Sequence, residues 1–364
     1  MTILPDDEYN QTLIQNVHPS GWVNPEPSGP YNLVVMGAGT AGLVTAVIGA
    51  AIGAKVALIE KHLMGGDCLN VGCVPSKAVI RASRVWSELR NAEEYGLRIP
   101  DAPKHDFGVA MERMRKLRAR ISQTDSVHRY QNLGVDVFLG HGRFTGPDII
   151  AVAGKTLTFK KAVICTGARA AEPAIPGLAQ TGYLTNESIF SLTELPSRLA
   201  VIGAGPIGCE MAQSFARFGS RVTVIERMSH VLPREDADAA GIVQARMKED
   251  GVEFVFDAKI AQTNARGKEK VLQYAIGGAT KELVALVDND AAVLHAPESA
   301  TDLARDMTRG EMSRHLAPAS CHCVVSLRSA LAERPPPPKE AATNAYVTPD
   351  QSSGPSAPHI RRSD

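Results

Sequence analysis

The sequence predicts an α/β protein with two successive βαβ units on parallel sheets. Three observations carry that expectation. Gly37-Ala38-Gly39-Thr40-Ala41-Gly42 directly follows the apolar run 31–36, and Gly203-Ala204-Gly205-Pro206-Ile207-Gly208 follows the apolar run 199–202 in the same way. Each glycine-rich turn leads through a helical stretch to a second apolar run, 55–59 or 221–225, that ends in an acid, Glu60 or Glu226. In both copies the acid stands 23 positions after the first glycine, so the second unit repeats the spacing of the first.

The glycines permit a tight turn, close approach of backbone to a pyrophosphate, and tight helix–strand packing. The helix that follows offers its N-terminus to phosphates. Strand, turn, helix, strand and terminal acid in this order make two Rossmann-like dinucleotide-binding domains, the second placed after the first. Gly37, Gly39, Thr40, Ala41, Gly42 and Glu60 are the candidate cofactor residues of the first, and Gly203, Gly205, Ile207, Gly208 and Glu226 those of the second. Two units imply two nucleotide cofactors, or one bound and one handed over. An acid at the second strand end favours an unphosphorylated ribose, hence NADH, while the neighbouring Arg227 keeps NADPH open.

At 364 residues the chain can hold two or three domains with sizeable cores. Its 39 basic and 39 acidic residues cancel, so no global field points to nucleic acid or a membrane surface. Six cysteines in this length do not make a disulfide scaffold and are expected to be mostly reduced, as in cytoplasm. Residues 1–30 lack a basic n-region and an apolar h-region, so no secretory signal is expected. The most apolar stretch, 41–59, is broken by Gly49, Gly53 and Lys55, short of the roughly 20 uninterrupted residues a membrane span wants.

In chain order, residues 1–30 carry Pro5, Pro19, Pro25, Pro27 and Pro30 and read as an irregular arm. A helix over about 41–52 follows the first turn. Then comes Gly65-Gly66-Asp67-Cys68-Leu69-Asn70-Val71-Gly72-Cys73-Val74-Pro75-Ser76-Lys77, two cysteines five positions apart in a loop that runs into a helix. Pro75 suits the first helical position, which puts Cys73 at the positive end, where a thiolate is favoured. Redox chemistry beside a bound cofactor is the reading this invites. Zinc ligation would want a second cysteine pair at ligand spacing, which the sequence lacks, so no resident metal is expected; two inert thiols are the other alternative.

Residues 75–94 and 106–133 read as long helices. The basic run Arg113, Arg115, Lys116, Arg118 and Arg120 reads as a solvated face of the second. Short strands are expected at 135–138, 149–152, 156–159 and 161–165, with Cys165 a buried small side chain at a strand end. The second unit continues with a helix over 235–250 and a strand at 252–256. Beyond 285 the character changes: the last 79 residues hold one aromatic, Tyr346, and nine of the 23 prolines, including Pro335 to Pro338. That composition reads as largely disordered, apart from a short helix near 300–315, with Cys321-His322-Cys323 accidental rather than a metal or thiol site. The domains are thus an arm at 1–30, a first unit at 31–190, a second at 191–285 and a tail at 286–364.

Gly-Gly-x-Cys-x-x-x-x-Cys-Val-Pro-Ser-Lys after a GxGxxG unit resembles the signature of the flavin-dependent pyridine nucleotide–disulfide oxidoreductases, most of all their mercuric reductase-like branch. Thr166-Gly167-Ala168, with Pro176-Gly177 shortly after, is similar to that family's exit from the flavin domain. The resemblance covers about residues 30–280. It implies FAD on the first fingerprint, with Lys61, Gly66, Thr166 and Gly167 among its contacts, and NAD(P)H on the second. It also implies that Cys68 is the interchange thiol, that Cys73 is the thiol beside the flavin, and that Lys77 and Glu210 form a buried ion pair near it. Electrons would pass from NAD(P)H through flavin to the Cys68–Cys73 disulfide and on to a disulfide or a metal-ion substrate such as Hg(II). The family is homodimeric, but its second flavin segment (Ala-Gly-Asp), its C-terminal interface domain with a His-Pro-x-x-x-x-Glu stretch, and the mercuric reductases' terminal thiol pair do not occur in 281–364. The expectation is a truncated or frame-shifted member, with a non-catalytic dinucleotide-binding remnant as the alternative.

Overall fold

The computed structural model describes residues 3–98, 105–170, 173–266, 269–285, 291–295 and 325–327. The expected helix near 300–315, the Cys321-His322-Cys323 cluster and the proline run at 335–338 lie outside them.

The arm is the first departure from the sequence reading. Asp7 accepts from the backbone N–H of Asn10 and starts helix α1 (Glu8–Val17), which buries Leu13 and Val17 completely. A capping aspartate ahead of apolar residues four apart is a helix signal that the surrounding prolines hide. The first unit follows: β1 (Tyr31–Met36), α2 (Thr40–Ala51), β2 (Val56–Glu60), the five-residue helix α3 (Gly66–Asn70), and α4 (Cys73–Arg90). The expected helix over 106–133 is two. Asp106 caps α5 (Phe107–Ser122), and Ser126 caps α6 (Val127–Asn132) after a short 3-10 turn. The basic run is a solvated face only in part: Arg113, Lys116 and Arg120 are exposed, while Arg115 and Arg118 of α5 are buried.

Next come β3 (Val135–Leu139), β4 (Arg143–Gly146), β5 (Ile149–Val152) and β6 (Lys155–Ile164), a single strand where two were expected. The order is β3-β2-β1-β6-β5-β4. The neighbours β3-β2-β1-β6 are parallel, while the first residues of β6 pair antiparallel with β5. Every residue of β2 is buried, as both-faces burial of a parallel strand demands. The edge strand β3 is covered by the arm. The Trp22 indole donates to the Val137 carbonyl at 3.2 Å, and the Asn24 amide both accepts from and donates to the Leu139 backbone, at 2.7 and 2.9 Å. The arm thereby occupies hydrogen-bonding groups that an open edge would offer to another chain.

After the short helix α7 (Leu178–Thr181), the second unit is built from β7 (Arg198–Ile202), α8 (Pro206–Phe218), β8 (Arg221–Ile225), α9 (Ala237–Glu249) and β9 (Val252–Val255). An antiparallel meander not foreseen from sequence follows, β10 (Lys259–Arg266), β11 (Glu269–Ile276) and β12 (Ala279–Ala285), and its Leu272 and Tyr274 pack with Ala200 and Ile225. β13 (Ala291–His295) then pairs parallel with β7, giving the order β13-β7-β8-β9, and β14 (Val325–Leu327) pairs antiparallel with β6. Both strands fall in the stretch expected to be disordered. Their backbone pairing to strands already in place, rather than local periodicity, is what defines them.

Helices α4 and α5 do not only belong to the first unit. Ala78, Val79, Phe107, Met111 and Met114 share one core with Leu199, Val201, Met211 and Phe215 of the second. The helix that begins at Cys73 is therefore seated on the second unit. Among the described residues no helix is long and apolar enough to cross a membrane.

Candidate active site

The two glycine turns are built alike. Gly37 and Gly203 have φ of +103° and +97°. A Cβ on Gly37 would lie 2.2 Å from the Cys165 carbonyl oxygen, and one on Gly42 would lie 1.8 Å from that of Gly37, so neither position accepts a side chain. The 23-residue spacing has a structural basis. Glu60 accepts from the backbone N–H of Ala38 and of His62, each at 2.7 Å, and Glu226 accepts from Ala204 at 2.7 Å and Met228 at 2.9 Å. Each acid ties the end of its strand to the glycine turn, a role additional to the ribose contact expected of it.

Both turns fit a dinucleotide. Gly39 and Gly205 are the N-caps of α2 and α8, and neither helix has a side-chain cap, so the first-turn N–H groups are left for an anion. Pro206 opens α8, where a missing N–H costs nothing. Around these turns, Thr166 backs onto Gly37, Gly167 has φ +66°, Lys61 is exposed beyond β2, and Ile207 is 38% exposed at the start of α8. The first-turn residues Thr40 and Ala41, with Gly208 in α8, complete the residues proposed from sequence.

The cysteine stretch is joined directly to the first turn. The N–H of Gly65 donates to the Ala38 carbonyl at 2.8 Å, and a Cβ on Gly66 would sit 2.6 Å from the Cα of Gly39. What read as a loop is helix α3, which carries Cys68, while Cys73 is the first residue of α4. Pro75 is therefore third in the helix rather than first, still within the turn whose N–H groups lack helical partners. Both thiols are free, Cys68 half-buried and Cys73 exposed. Burial pushes the Cys68 thiol up, a hydrogen bond and charge from Cys73 push it further, and a hydrogen bond from the Thr40 hydroxyl draws it back. Thr40, chosen from sequence for a cofactor, thus also faces the cysteine pair. Cys165 and Cys209 are buried, and burial pushes the Cys209 thiol up to about 12.

Lys77 on α4 reaches Glu210 on α8 at 2.6 Å. The pair forms as expected, but it is not buried: the side chains are 61% and 35% exposed. An ion pair this open is worth about 0–1 kcal/mol. Lys77→Met is accordingly expected to change the free energy of urea unfolding by less than about 1 kcal/mol. A groove of about 490 Å³ between α4, α8 and α9, lined by Ile80, Arg84, Gln213 and Arg246 among others, holds none of the residues proposed from sequence. Among the described residues no group of three or more His, Cys, Asp or Glu side chains could hold a metal ion.

Comparison with known proteins agrees with this arrangement. The family model for pyridine nucleotide-disulphide oxidoreductases matches residues 31–294. The mercuric reductase of Bacillus cereus is 32% identical over 256 residues, covering 70% of this chain and 40% of that protein. The dihydrolipoyl dehydrogenase of Acholeplasma laidlawii is 31% identical over 238 residues, covering 64% of this chain and 70% of that protein. Among solved structures, the HOCl-induced flavoprotein disulfide reductase RclA from Escherichia coli has a TM-score of 0.60 at 30% identity, covering 73% of this chain and 56% of that one. The chain spans about half the length of most of the curated relatives it matches. With two matching glycine turns, a cysteine pair set against the first, and a family match that spans both units, the chain belongs to the pyridine nucleotide–disulphide oxidoreductase family.

Proposed function

We propose that the chain forms the FAD- and NAD(P)H-binding part of a flavoprotein reductase, with Cys68 and Cys73 as its redox pair and a small disulfide, a protein disulfide or Hg(II) as substrate. The observation that carries this reading is the seating of the pair: Gly66 of α3 packs on Gly39 and the N–H of Gly65 donates to the Ala38 carbonyl, so the segment that bears Cys68 rests on the first turn. FAD, held by Gly37, Gly39, Thr40, Ala41, Gly42 and Glu60 with Gly66 and Thr166 nearby, would supply two-electron chemistry between a reduced nicotinamide and a disulfide. Gly203, Gly205, Ile207, Gly208 and Glu226 would hold NAD(P)H, with NADH favoured because Glu226 is an acid. Lys77 and Glu210 link the helix that begins at Cys73 to the helix that begins at the second turn. Cys68 would exchange with substrate and Cys73 would resolve the mixed disulfide, in a reducing compartment such as cytoplasm.

Purified protein reconstituted with FAD is expected to be yellow and to gain a long-wavelength thiolate–flavin absorption band on anaerobic addition of one equivalent of NADH, less readily with NADPH. Protein that stays colourless with added FAD would rule the reading out. It would leave the second reading, a dinucleotide-binding module without turnover.

A further inference from the structure

We propose that Arg118 is a positioning residue for the cysteine pair and that the N-terminal helix α1 braces it. The inference rests on the reading of Cys68 and Cys73 as a redox pair. Helix α3 ends at Asn70, between the two cysteines, and its last carbonyls have no partner within so short a helix. Arg118 on α5 supplies one, donating from Nη1 to the Asn70 carbonyl at 2.7 Å. Its Nη2 donates to Oδ1 of Asn10 on α1, also at 2.7 Å. The guanidinium is thus a two-pronged link between the N-terminal helix and the segment that joins the cysteines.

Both ends of the link are themselves fixed. Asn10 donates from Nδ2 to the Pro5 carbonyl at 2.7 Å and from its backbone N–H to Asp7 at 2.8 Å, and Asp7 also pairs with Arg115, one helical turn from Arg118. At the other end, the Asn70 amide donates to the carbonyls of Met64 and Gly66 at 3.1 and 2.8 Å, closing α3 on its own start. Arg118 is 3% exposed, Asn10 1% and Asn70 6%. Burial, helped by the charge of Arg115, lowers the guanidinium of Arg118 to about 10, so it remains charged at neutral pH. Burying a charge is costly, and a well-packed apolar side chain of the same volume is often no less stable. The arginine adds two fixed directions that an apolar side chain lacks. Those directions hold the chain two residues after Cys68 and three before Cys73, so the link acts on how the two sulfurs face each other.

The test is the disulfide equilibrium of the purified chain in glutathione buffers. One S–S bond forms between Cys68 and Cys73 as the S–S bond of oxidised glutathione breaks, and the two electrons and two protons of the protein thiols pass to two reduced glutathiones. Alkylation followed by peptide mass mapping reads the oxidised fraction at these two positions. Asn10→Ala and Arg118→Lys, in which a single ammonium cannot keep the fork geometry, are each expected to lower the equilibrium constant about threefold. Arg118→Met is expected to lower it about tenfold, a shift of about 30 mV. Near-UV circular dichroism and thermal unfolding run alongside. If Arg118→Met does not fold, the other two variants carry the test. A purely structural role would lower the melting temperature and leave the equilibrium constant of the folded protein where it was, and that result in folded variants overturns the proposal. Wild-type chain that forms no Cys68–Cys73 disulfide at any glutathione ratio overturns the redox-pair reading itself, a distinct outcome.

Discussion

Cys68→Ser is expected to cut NAD(P)H-driven disulfide reduction by the FAD-reconstituted protein by about three orders of magnitude or more, because a hydroxyl cannot form the sulfur–sulfur bond on which exchange depends. Substrate-dependent oxidation of NADH reads the loss directly. The same cysteine has a pH signature that is independent of turnover. Its thiol is raised by burial first and by Cys73 second. In Cys73→Ser protein the first cause remains, so alkylation of Cys68 is expected to rise at a higher pH than that of an exposed cysteine thiol. Removing the pull of Thr40 with Thr40→Val is expected to move the profile higher still. The attacking species is the thiolate, so a pKa above the ordinary value means less thiolate at neutral pH and a rate that climbs towards alkaline pH. Cys165 and Cys209 are buried, and peptide mapping assigns the label to Cys68 position by position.

Asp250→Ala is expected to destabilise the fold by about 3–5 kcal/mol, measured by urea unfolding, because it strands a buried cation. Asp250 accepts from Arg217 at 2.9 Å, from Gln213 at 2.8 Å and from Ser87 of α4 at 3.3 Å, and Arg246 approaches to 3.6 Å. The Arg217 and Asp250 side chains are 9% and 4% exposed, and Nε of Arg217 already has no partner among the described residues. The double replacement Arg217→Met with Asp250→Leu is expected to recover most of the loss, since removing both charges removes the desolvation penalty with the attraction. The pair also sets a pH limit. Burial alone would raise the Asp250 carboxyl, but hydrogen bonds from Arg217 and Gln213 and the charges of Arg217 and Arg246 overrule it and hold it below the ordinary 3.8. A carboxyl lowered in the folded state contributes its stabilisation in full above the unfolded value. That contribution is lost as pH falls from 3.8 through the lower folded value. Acid unfolding of the wild type should therefore lose this increment in that window, and Asp250→Ala should show a flatter dependence there.

The parts of the site that sequence made legible are those encoded within one supersecondary unit. Gly42 closes on Gly37, and Glu60 and Glu226 accept from Ala38 and Ala204, all within some 25 residues, so their spacing alone reveals a turn, a helix start and a strand end. The Cys68–Cys73 stretch is legible for the same reason, although α3 is not: five residues carry no period. The pairing of Lys77 with Glu210 spans 133 positions and was approached through family resemblance rather than residue pattern.

Other features depended on partners brought from far along the chain. In sequence, Arg115 and Arg118 are indistinguishable from Arg113 and Arg120, because a basic helix reads as solvated until something packs on it. Here α1 packs on it, and it brings Asp7 and Asn10 from 108 residues away. The proline-bearing arm reads as irregular because its helix is stabilised by burying Leu13 and Val17 against the first unit rather than by its own propensity. Likewise β13 exists through its pairing with β7, not through any pattern of its own. The sequence by itself determined the two nucleotide turns, their acids and the cysteine pair, since each is written in local geometry. Only the tertiary structure decided that the pair rests on the first turn, that its helix is seated on the second unit, and that a buried arginine braces it. A buried charge is tolerable only where distant segments bring it partners.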